Sequence, residues 1–160
     1  MPIEIFTTGG TIDKLYFDAK SSFQVGDPQI TELLREANLT LELKVTPLLR
    51  KDSLEMTAAD RDVIRSAVSQ SSSAQVVVTH GTDTMVETAL TLLGISGKTI
   101  VLTGAMQPAR FRLTDALFNV ASALTAAQTL PHGVYIAMNG RIFDPRQTRK
   151  NVAENRFEPT

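Results

Sequence analysis

Apolar and polar positions along the chain follow two alternating periods, and these predict strands and helices in turn. Short runs rich in β-branched residues predict strands over residues 3–7, 41–49, 76–79, 99–103 and 134–138. Apolar residues at helical spacing predict helices over about residues 28–37, 58–69, 85–93 and 113–128. This alternation predicts a doubly wound α/β fold, a three-layer arrangement in which a mostly parallel sheet has helices on both faces, as in flavodoxin-like and Rossmann-like proteins.

The starts of the predicted helices are marked by residues whose side chains suit helix caps. Asp27 followed by Pro28 predicts a start, because aspartate caps a first turn and proline fits its first position. Thr57 is the predicted cap of the second helix. Thr84 and Glu87 have the spacing of a capping box, in which hydroxyl and carboxylate reach back to free backbone N–H groups.

Three segments outside these elements are predicted to form loops, turns or a tail. Residues 13–26 hold aromatic residues among polar ones without a helical period, which predicts a loop or loose hairpin long enough to be functional. The turn at Asn139-Gly140 predicts a short hairpin over residues 141–143. The tail from Arg146 onward is polar, as in a solvated chain end, but because it contains Lys150 we predict that it folds back onto the site described next.

The valine run over residues 76–78 leads into a turn that contains Gly81, Thr82 and Asp83. The pattern places Thr82 and Asp83 between the carboxyl end of a strand and the amino end of a helix, where open α/β sheets bind their ligands. Exposed N–H groups and the helix dipole favour a carboxylate or a developing oxyanion there. The alternative is that these side chains only cap the helix, and this stretch alone favours neither interpretation.

A second strand end, at residues 9–11, presents the same chemistry. Two adjacent glycines permit a sharp turn, and the hydroxyl of Thr11 stands beside their backbone amides. Threonine is a weak nucleophile, so an adjacent base must activate it, and Tyr16 and Lys150 are the candidates. The alternative for each threonine is a turn or cap residue. Spacing along the chain does not decide whether the two loops meet.

Length, composition and charge limit the classes of protein to which the chain can belong. The 160 residues suffice for a single domain over residues 1–160, and 42% hydrophobic with 21% charged residues is typical of a globular protein. A net charge of −1 gives no electrostatic reason to expect nucleic acid or an anionic membrane as partner. No segment reaches the roughly 18 apolar residues of a membrane span, and the first residues lack an export signal. The cytoplasm is therefore the predicted location.

The residue types leave little basis for a metal or cofactor. The sequence has no cysteine and only two histidines, His80 and His132, so neither a thiolate site nor a histidine-rich metal centre is expected. Phosphate binding at the glycines of residues 9–10 would give nucleotide binding, but neither the dinucleotide fingerprint nor the P-loop pattern is present. His80 is predicted to be a packed, hydrogen-bonded residue beneath the loop rather than a base.

Two motifs together resemble the signatures of bacterial-type L-asparaginases. They are residues 8–12 (TGGTI) and residues 79–89 (THGTDTMVETA). Lesser matches follow in the same order at residues 53–56, 104–108, 138–139 and 144–151. The resemblance covers nearly the whole chain. It implies an amidohydrolase that converts L-asparagine to L-aspartate and ammonia without a cofactor or metal, and a homo-oligomer, dimer or tetramer. It leaves the choice between asparagine and glutamine open.

The resemblance also implies the catalytic residues. Thr11 matches the threonine that attacks the amide carbon. Thr82 matches a second threonine and Lys150 the lysine paired with it, which together would activate a water or assist proton transfer. Asp83 completes this group. Tyr16 is similar to the tyrosine of a shorter-chain subgroup and is expected to activate Thr11.

Substrate recognition follows from the same motifs. Asp83 matches the carboxylate that binds the α-amino group, and Ser53 matches the residue that holds the α-carboxylate. The amide N–H of Thr82 is expected to be an oxyanion-hole donor. The remaining substrate-binding residues implied by the matching motifs are Gly10, Gly81 and Ala105.

Two departures from the family pattern favour a rival hypothesis. Phe23 stands where the usual loop carries a tyrosine, and phenylalanine does not take a proton. Typical members are about twice as long, and a smaller carboxyl-terminal domain from a neighbouring subunit completes their sites. The rival is a non-catalytic module that binds an amino acid or amide.

Overall fold

The computed structural model describes residues 1–17 and 22–160. In chain order its elements are β1 (Ile3–Gly9), β2 (Lys14–Phe17), β3 (Ser22–Val25), α1 (Ile30–Arg35), β4 (Leu43–Lys51), α2 (Ala58–Gln70), β5 (Gln75–Thr79), α3 (Met85–Thr91), β6 (Thr99–Thr103), α4 (Ala116–Thr129), β7 (Gly133–Met138), β8 (Arg141–Phe143), β9 (Thr148–Asn151) and β10 (Arg156–Pro159). Among the residues so described, none of the helices has the length and apolarity needed to cross a bilayer.

A six-stranded sheet in the order β4–β1–β5–β6–β7–β8 forms the centre of the molecule. Strands β4, β1, β5, β6 and β7 pair in parallel, and β8 joins β7 in the antiparallel direction. The chain passes from β1 to β4 on one side and then to β5 on the other. The strand order therefore reverses between β1 and β5, and the carboxyl ends of these two strands flank the crevice in which such folds bind ligands.

Helices cover both faces of the sheet, which confirms the predicted doubly wound α/β fold. The valine run of β5 shows why, since it is buried throughout while its side chains alternate between two cores. Val76 and Val78 enter the core beneath α2 and α3. Val77 enters the opposite core, which is covered by α1 and α4. Burying each such side chain contributes about 1.5–3 kcal/mol, so this strand is fixed by both layers.

The predicted strands and the last helix are confirmed to within a few residues, but the start of the first helix and the predicted cap of the third were wrong. Helix α1 begins at Ile30 after Gln29, because the carboxylate of Asp27 pairs with Arg50 at 2.6 Å instead of capping. Thr84 does precede α3, yet its side chain makes no cap hydrogen bond. Its hydroxyl donates instead to the carbonyl of Ser53 at 2.9 Å.

A capping box does form, but at the start of α2. Thr57 is the cap, as predicted, and its hydroxyl accepts from the N–H of Asp60 at 3.2 Å. The Asp60 carboxylate accepts in return from the Thr57 N–H at 2.9 Å. Glu87, assigned to the box predicted for α3, instead contacts Arg61 of α2 at 3.3 Å. The starts of α2 and α3 have similar capping patterns. The box forms only at α2, because the polar side chains at α3 have tertiary partners within reach.

Two hairpins, β2–β3 and β9–β10, lie outside the central sheet, and a third, β7–β8, forms its edge. Strands β2 and β3 pair within the predicted 13–26 segment, whose residues 18–21 lie outside the described residues. The short hairpin predicted after Gly140 is confirmed as β7–β8. Strands β9 and β10 pair in the polar tail, and Phe157 anchors them in the core shared with α2 and α3. The tail therefore returns to the body of the domain.

Removing the cap of α2 is expected to lower stability. Thr57→Ala leaves the Asp60 N–H without its acceptor, and the loss of such a cap costs about 1 kcal/mol. Chemical denaturation measures the change in the free energy of unfolding. Thr57→Ser keeps the acceptor oxygen and is expected to unfold like the parent. Equal destabilisation by alanine and serine would contradict the capping role.

Candidate active site

The loops that follow β1 and β5 meet through their backbones. Gly10 has a φ of +88°, and a β-carbon placed on it would lie 2.5 Å from both Cα and N of Gly81. This contact is possible only without a side chain at residue 10. Thr11 and Thr82, the next residues in each loop, therefore lie on the same rim of the sheet. The two threonine-bearing loops, whose meeting the spacing along the chain left open, therefore converge in the structure.

Ser53 supports this contact from the loop that follows β4. A β-carbon on Gly81 would lie 2.7 Å from the Ser53 hydroxyl oxygen, so the serine packs directly against the second loop. Ser53 is buried, and its hydroxyl oxygen accepts from the N–H of Thr84 at 3.3 Å. Because that oxygen acts as an acceptor, the hydroxyl hydrogen is left for another partner. The geometry can therefore present one O–H donor beside Gly81.

Lys150 comes from β9 and completes a three-residue group with the second loop. Its Nζ lies 2.8 Å from the Thr82 hydroxyl oxygen and 2.7 Å from a carboxylate oxygen of Asp83. The lysine side chain is 13% exposed, which limits competition from water. The prediction that the tail brings Lys150 to Thr82 and Asp83 agrees with these distances. Since Thr82 accepts from the lysine, its own hydrogen is free to donate.

Thr11 and Ala105 reach the site by different routes. Thr11 opens a one-turn 3-10 helix, and the carbonyl of the following Ile12 accepts from the N–H of Ala109 at 3.0 Å. That bond ties the loop between β6 and α4 to the first threonine loop. The side chain of Ala105 is buried in the core beneath α1 and α4. Of Ala105, only the main chain is therefore available to a ligand.

Tyr16 is the predicted catalytic residue that the structure does not connect to the rest. Its side chain is 53% exposed, and its ring packs against Phe23 at a centroid distance of 5.4 Å. Phe23 in turn packs edge-on against Phe111 at 5.5 Å. The Tyr16 hydroxyl forms no hydrogen bond with any described residue, Thr11 included. An aromatic cluster across the hairpin, rather than a hydrogen bond to Thr11, holds the tyrosine in this structure.

Comparison with known proteins matches the chain to the family Asparaginase, N-terminal, over residues 2–157. The chain belongs to the asparaginase family. The TGGTI and THGTDTMVETA motifs, which carried the resemblance, are thus attributed correctly.

Relatives in this family are longer than the chain. A glutaminase-asparaginase of Acinetobacter glutaminasificans is 34% identical over 78% of this chain and 38% of its own length. A protein of Haemophilus influenzae named probable periplasmic L-asparaginase is 31% identical over 92% of this chain and 46% of its own. A solved structure of a probable cytoplasmic L-asparaginase from Campylobacter jejuni superposes with a TM-score of 0.85 at 28% identity, over 99% of this chain and 52% of that one. The chain thus spans about half or less of these relatives.

His80, on the loop side of β5, is a neutral residue beneath the site. It is fully buried, with Nδ1 at 2.7 Å from the Gly81 carbonyl oxygen and Nε2 at 2.7 Å from the Thr88 hydroxyl. Burial lowers the pKa of the imidazole to about 4, so it is uncharged at neutral pH. The prediction of a packed, hydrogen-bonded His80 is confirmed, and a role as exposed base is contradicted by its burial.

Sequence reasoning missed two charged contacts that hold the first loop and its hairpin. Lys14 of β2 pairs at 3.2 Å with Asp52, which directly precedes Ser53. Asp13 is buried, and its carboxylate accepts from the N–H of Gln29 at 2.9 Å, which joins the two ends of the hairpin segment. The position of Asp13 directly after an apolar isoleucine is the only signal the sequence offered, since both partners are distant along the chain.

Asp13 titrates in an unusual range. Burial raises the pKa of its carboxyl from 3.8 to about 6, against the opposing effects of the Gln29 N–H and the Arg50 charge. Between about pH 4 and 6 the folded protein therefore binds a proton that the unfolded chain has released. The stability contributed by the protonated carboxyl is full below pH 4, declines through this window and is absent above it. The ionised group is a net cost at neutral pH.

Asp13→Asn is expected to remove that titration. Relative to the parent, the variant should gain stability as pH rises from about 4 to 6, by up to about 3 kcal/mol, because two pKa units correspond to about that free energy. Chemical denaturation at pH 4, 5, 6 and 7 measures the difference. Asp62→Asn, which removes a negative charge from an exposed position of α2, is the control. A stability difference between Asp13→Asn and parent that is constant across the window would contradict the assignment.

Proposed function

We propose that the protein is an L-asparaginase that hydrolyses L-asparagine to L-aspartate and ammonia. The observation that supports this best is the lysine, threonine and aspartate group beside the contact of two glycine loops. Lys150 lies within 2.8 Å of Thr82 and 2.7 Å of Asp83, although more than 60 residues separate it from them in the sequence. Such a group next to a second threonine fits acyl transfer by a hydroxyl nucleophile.

The proposed reaction begins with attack of the Thr11 hydroxyl on the side-chain amide carbon. Tyr16, on the adjoining hairpin, is proposed to relay the hydroxyl proton: its phenol oxygen accepts the proton of Thr11 while its own proton passes to the amide nitrogen that leaves. Its phenol is exposed and free of hydrogen bonds to the described residues, which leaves its oxygen available for this proton. Attack gives a tetrahedral oxyanion, and the N–H of Thr82 is the proposed donor to it. Collapse releases ammonia and leaves an acyl ester on Thr11.

Hydrolysis of that ester requires a water, which the second group is proposed to orient. The Lys150 ammonium shares a proton with the Thr82 hydroxyl, so the threonine can accept a proton from the attacking water while it passes one to the departing Thr11 oxygen. Asp83 pairs with the lysine at 2.7 Å. Its carboxylate is 36% exposed and is proposed to bind the α-ammonium of the substrate.

The α-carboxylate is proposed to bind beside Ser53. The serine hydroxyl already accepts from a backbone amide, and its hydrogen is available for an anionic oxygen. Leu54, the next residue, is 73% exposed and apolar, so it offers no charged contact to the same group. Together with Asp83, Ser53 would fix the amino-acid end of the substrate while the amide reaches Thr11.

A homo-oligomer and a cytoplasmic location belong to the same proposal. Phe118 of α4 and Ile142 of β8 are 61% and 42% exposed and line one apolar groove, which supports self-association. The Campylobacter relative is named cytoplasmic and the Haemophilus relative periplasmic, so the names of relatives favour neither compartment. Light scattering of purified protein tests the oligomer.

The two threonines are expected to be essential for turnover. Thr11→Ala and Thr82→Ala should each lower kcat at least about 10³-fold, because loss of a nucleophile or its partner removes most of the rate enhancement. Ammonia release from asparagine and from glutamine at millimolar concentration is the assay, with circular dichroism to verify folding. The serine variants retain a hydroxyl and should retain measurable activity. Residual activity near the parent's in either alanine variant contradicts that residue's role.

Lys150 is expected to act through proton transfer as well as charge. Lys150→Met should lower kcat by about 10²–10⁴-fold, the usual contribution of a positioned acid or base. Lys150→Arg preserves the positive charge beside Asp83 but not the ready proton transfer, so it should recover little activity. Full activity in Lys150→Arg would assign the lysine a purely electrostatic role.

The rival is a non-catalytic module that binds an amino acid or amide. Titration calorimetry with asparagine distinguishes it, because the module binds without releasing ammonia. Binding without turnover by pure, folded protein would select the module and end the enzyme proposal. Tight aspartate binding together with ammonia release would select the enzyme.

A further inference from the structure

The peptide unit between Gly81 and Thr82 carries the N–H that the proposed reaction uses as an oxyanion donor. Carbonyl oxygen and amide hydrogen point in opposite directions across a planar trans peptide. The direction of the Gly81 carbonyl therefore sets the direction of the Thr82 N–H. No hydrogen bond from this N–H to a described residue is present, so it remains available to a ligand. A group that holds the Gly81 carbonyl in place therefore also fixes the direction of the Thr82 N–H.

Gly81 makes this peptide unit easy to misplace. Glycine lacks the β-carbon that restricts rotation, so a peptide next to it turns over at low cost. The chain before it is firmly held, since the His80 N–H donates to the Thr103 carbonyl at 2.9 Å. A β-carbon on Gly104 would lie 2.3 Å from the His80 carbonyl oxygen, so the residue that follows β6 also packs tightly there. The peptide unit between Gly81 and Thr82 is therefore the first one after β5 that can rotate.

We propose that His80 is a positioning residue that holds the Gly81 carbonyl and so aims the Thr82 N–H at the reacting carbonyl of the substrate. The contact that carries this is the 2.7 Å approach of Nδ1 to the Gly81 carbonyl oxygen. His80 touches no substrate in this role. The inference rests on the proposed amidohydrolase function, which it deepens.

Hydrogen-bond chemistry fixes the tautomer that this role needs. A carbonyl oxygen only accepts, so Nδ1 must carry the hydrogen. In a neutral imidazole Nε2 then accepts, and the Thr88 hydroxyl at 2.7 Å is its donor. The Met56 sulfur lies 3.1 Å from Nε2, but a thioether is a weak acceptor and does not compete with a carbonyl for the ring hydrogen. Burial keeps the imidazole neutral, with its pKa lowered to about 4.

Thr88 is itself oriented from α2. The guanidinium Nε of Arg61 donates to the Thr88 hydroxyl oxygen at 3.1 Å, and the Arg61 side chain is 12% exposed. One lone pair of the hydroxyl is thereby occupied, which directs its hydrogen toward Nε2. Donors and acceptors then run in one direction from Arg61 through Thr88 and His80 to Gly81. Two helices thus set the direction of one peptide at the site.

Paired substitutions at His80 separate positioning from packing. The amide nitrogen of an asparagine reaches about where Nδ1 lies, whereas that of a glutamine reaches about where Nε2 lies. His80→Asn can therefore still donate to the Gly81 carbonyl, and we expect kcat within about fivefold of the parent. His80→Gln should lose that bond and show a kcat about 10- to 100-fold lower, since loss of an entire oxyanion donor costs about 10²–10³-fold. KM should change less than about threefold in both, because Asp83 and Ser53 are untouched.

A second pair keeps the histidine and changes its partner. Thr88→Val removes the hydroxyl at nearly constant shape, which frees the imidazole to take the other tautomer, and kcat should fall about three- to tenfold. Thr88→Ser restores the hydroxyl and should restore kcat. A role in packing alone would lower the melting temperature without this split between kcat and KM. Equal kcat for His80→Asn and His80→Gln, or parental kcat for Thr88→Val, overturns the proposal. If His80→Gln does not fold, the Thr88 pair decides.

The test also distinguishes failure of this inference from failure of the proposed function. No ammonia from the folded parent ends the asparaginase proposal itself. The Thr82 amide resonance in a two-dimensional ¹H–¹⁵N spectrum then judges the positioning role, compared between parent and His80→Gln. A clear shift of that resonance, with distant resonances unchanged, supports it. An unchanged resonance overturns it.

Discussion

The contact between Gly10 and Gly81 is the constraint on which the site depends. Any side chain at residue 10 would enter the backbone of the other loop, as the 2.5 Å distance from a β-carbon shows. The two loops come close enough to contact one small ligand because neither loop has a side chain at the point where they meet. Parallel strands make the contact possible, since β1 and β5 pair residue for residue up to Thr7 and Thr79. The loops that follow β1 and β5 therefore leave the sheet at the same level along the strand direction.

The remaining groups reach this contact from distant parts of the chain, and each is held by more than one element. Ser53 arrives after β4 and is bonded at both its hydroxyl and its carbonyl by Thr84. Lys150 arrives on the β9–β10 hairpin, whose Phe157 is buried in the core. The sheet supplies the positions and the core supplies the rigidity, so a lysine and a threonine distant in sequence are held at hydrogen-bond distance. The asparaginase motifs thus act as a unit only in the folded domain.

How much the sequence predicted depends on how local each cause is. Strands such as β5 and β6 were predicted within a residue, because a short β-branched run bounded by polar residues has few other ways to bury itself. The structure brings Lys150 to within 2.8 Å of Thr82 and 2.7 Å of Asp83, an association that the family resemblance implied and that spacing did not show. The catalytic roles of these residues and of Thr11 stay predictions. Cap positions failed where a side chain had a better tertiary partner, as with Asp27 and Arg50. The buried carboxyl of Asp13 and the Lys14–Asp52 pair could not be predicted, since their energetics depend on which residues surround them.

Buried polar groups at the two ends of the sheet differ in how well their hydrogen bonds are satisfied. Near the amino end, the buried carboxylate of Glu4 is bonded by Ser71, Thr46 and Lys44. At the carboxyl end, beneath the threonine loops, the buried hydroxyls of Thr7 and Thr79 have no hydrogen-bond partner among the described residues. An unsatisfied buried group costs about 1–3 kcal/mol. Ionised Asp13 adds a further cost at the same end. Among the described residues, the end that carries the two threonine loops therefore holds unsatisfied buried hydroxyls that the amino end does not.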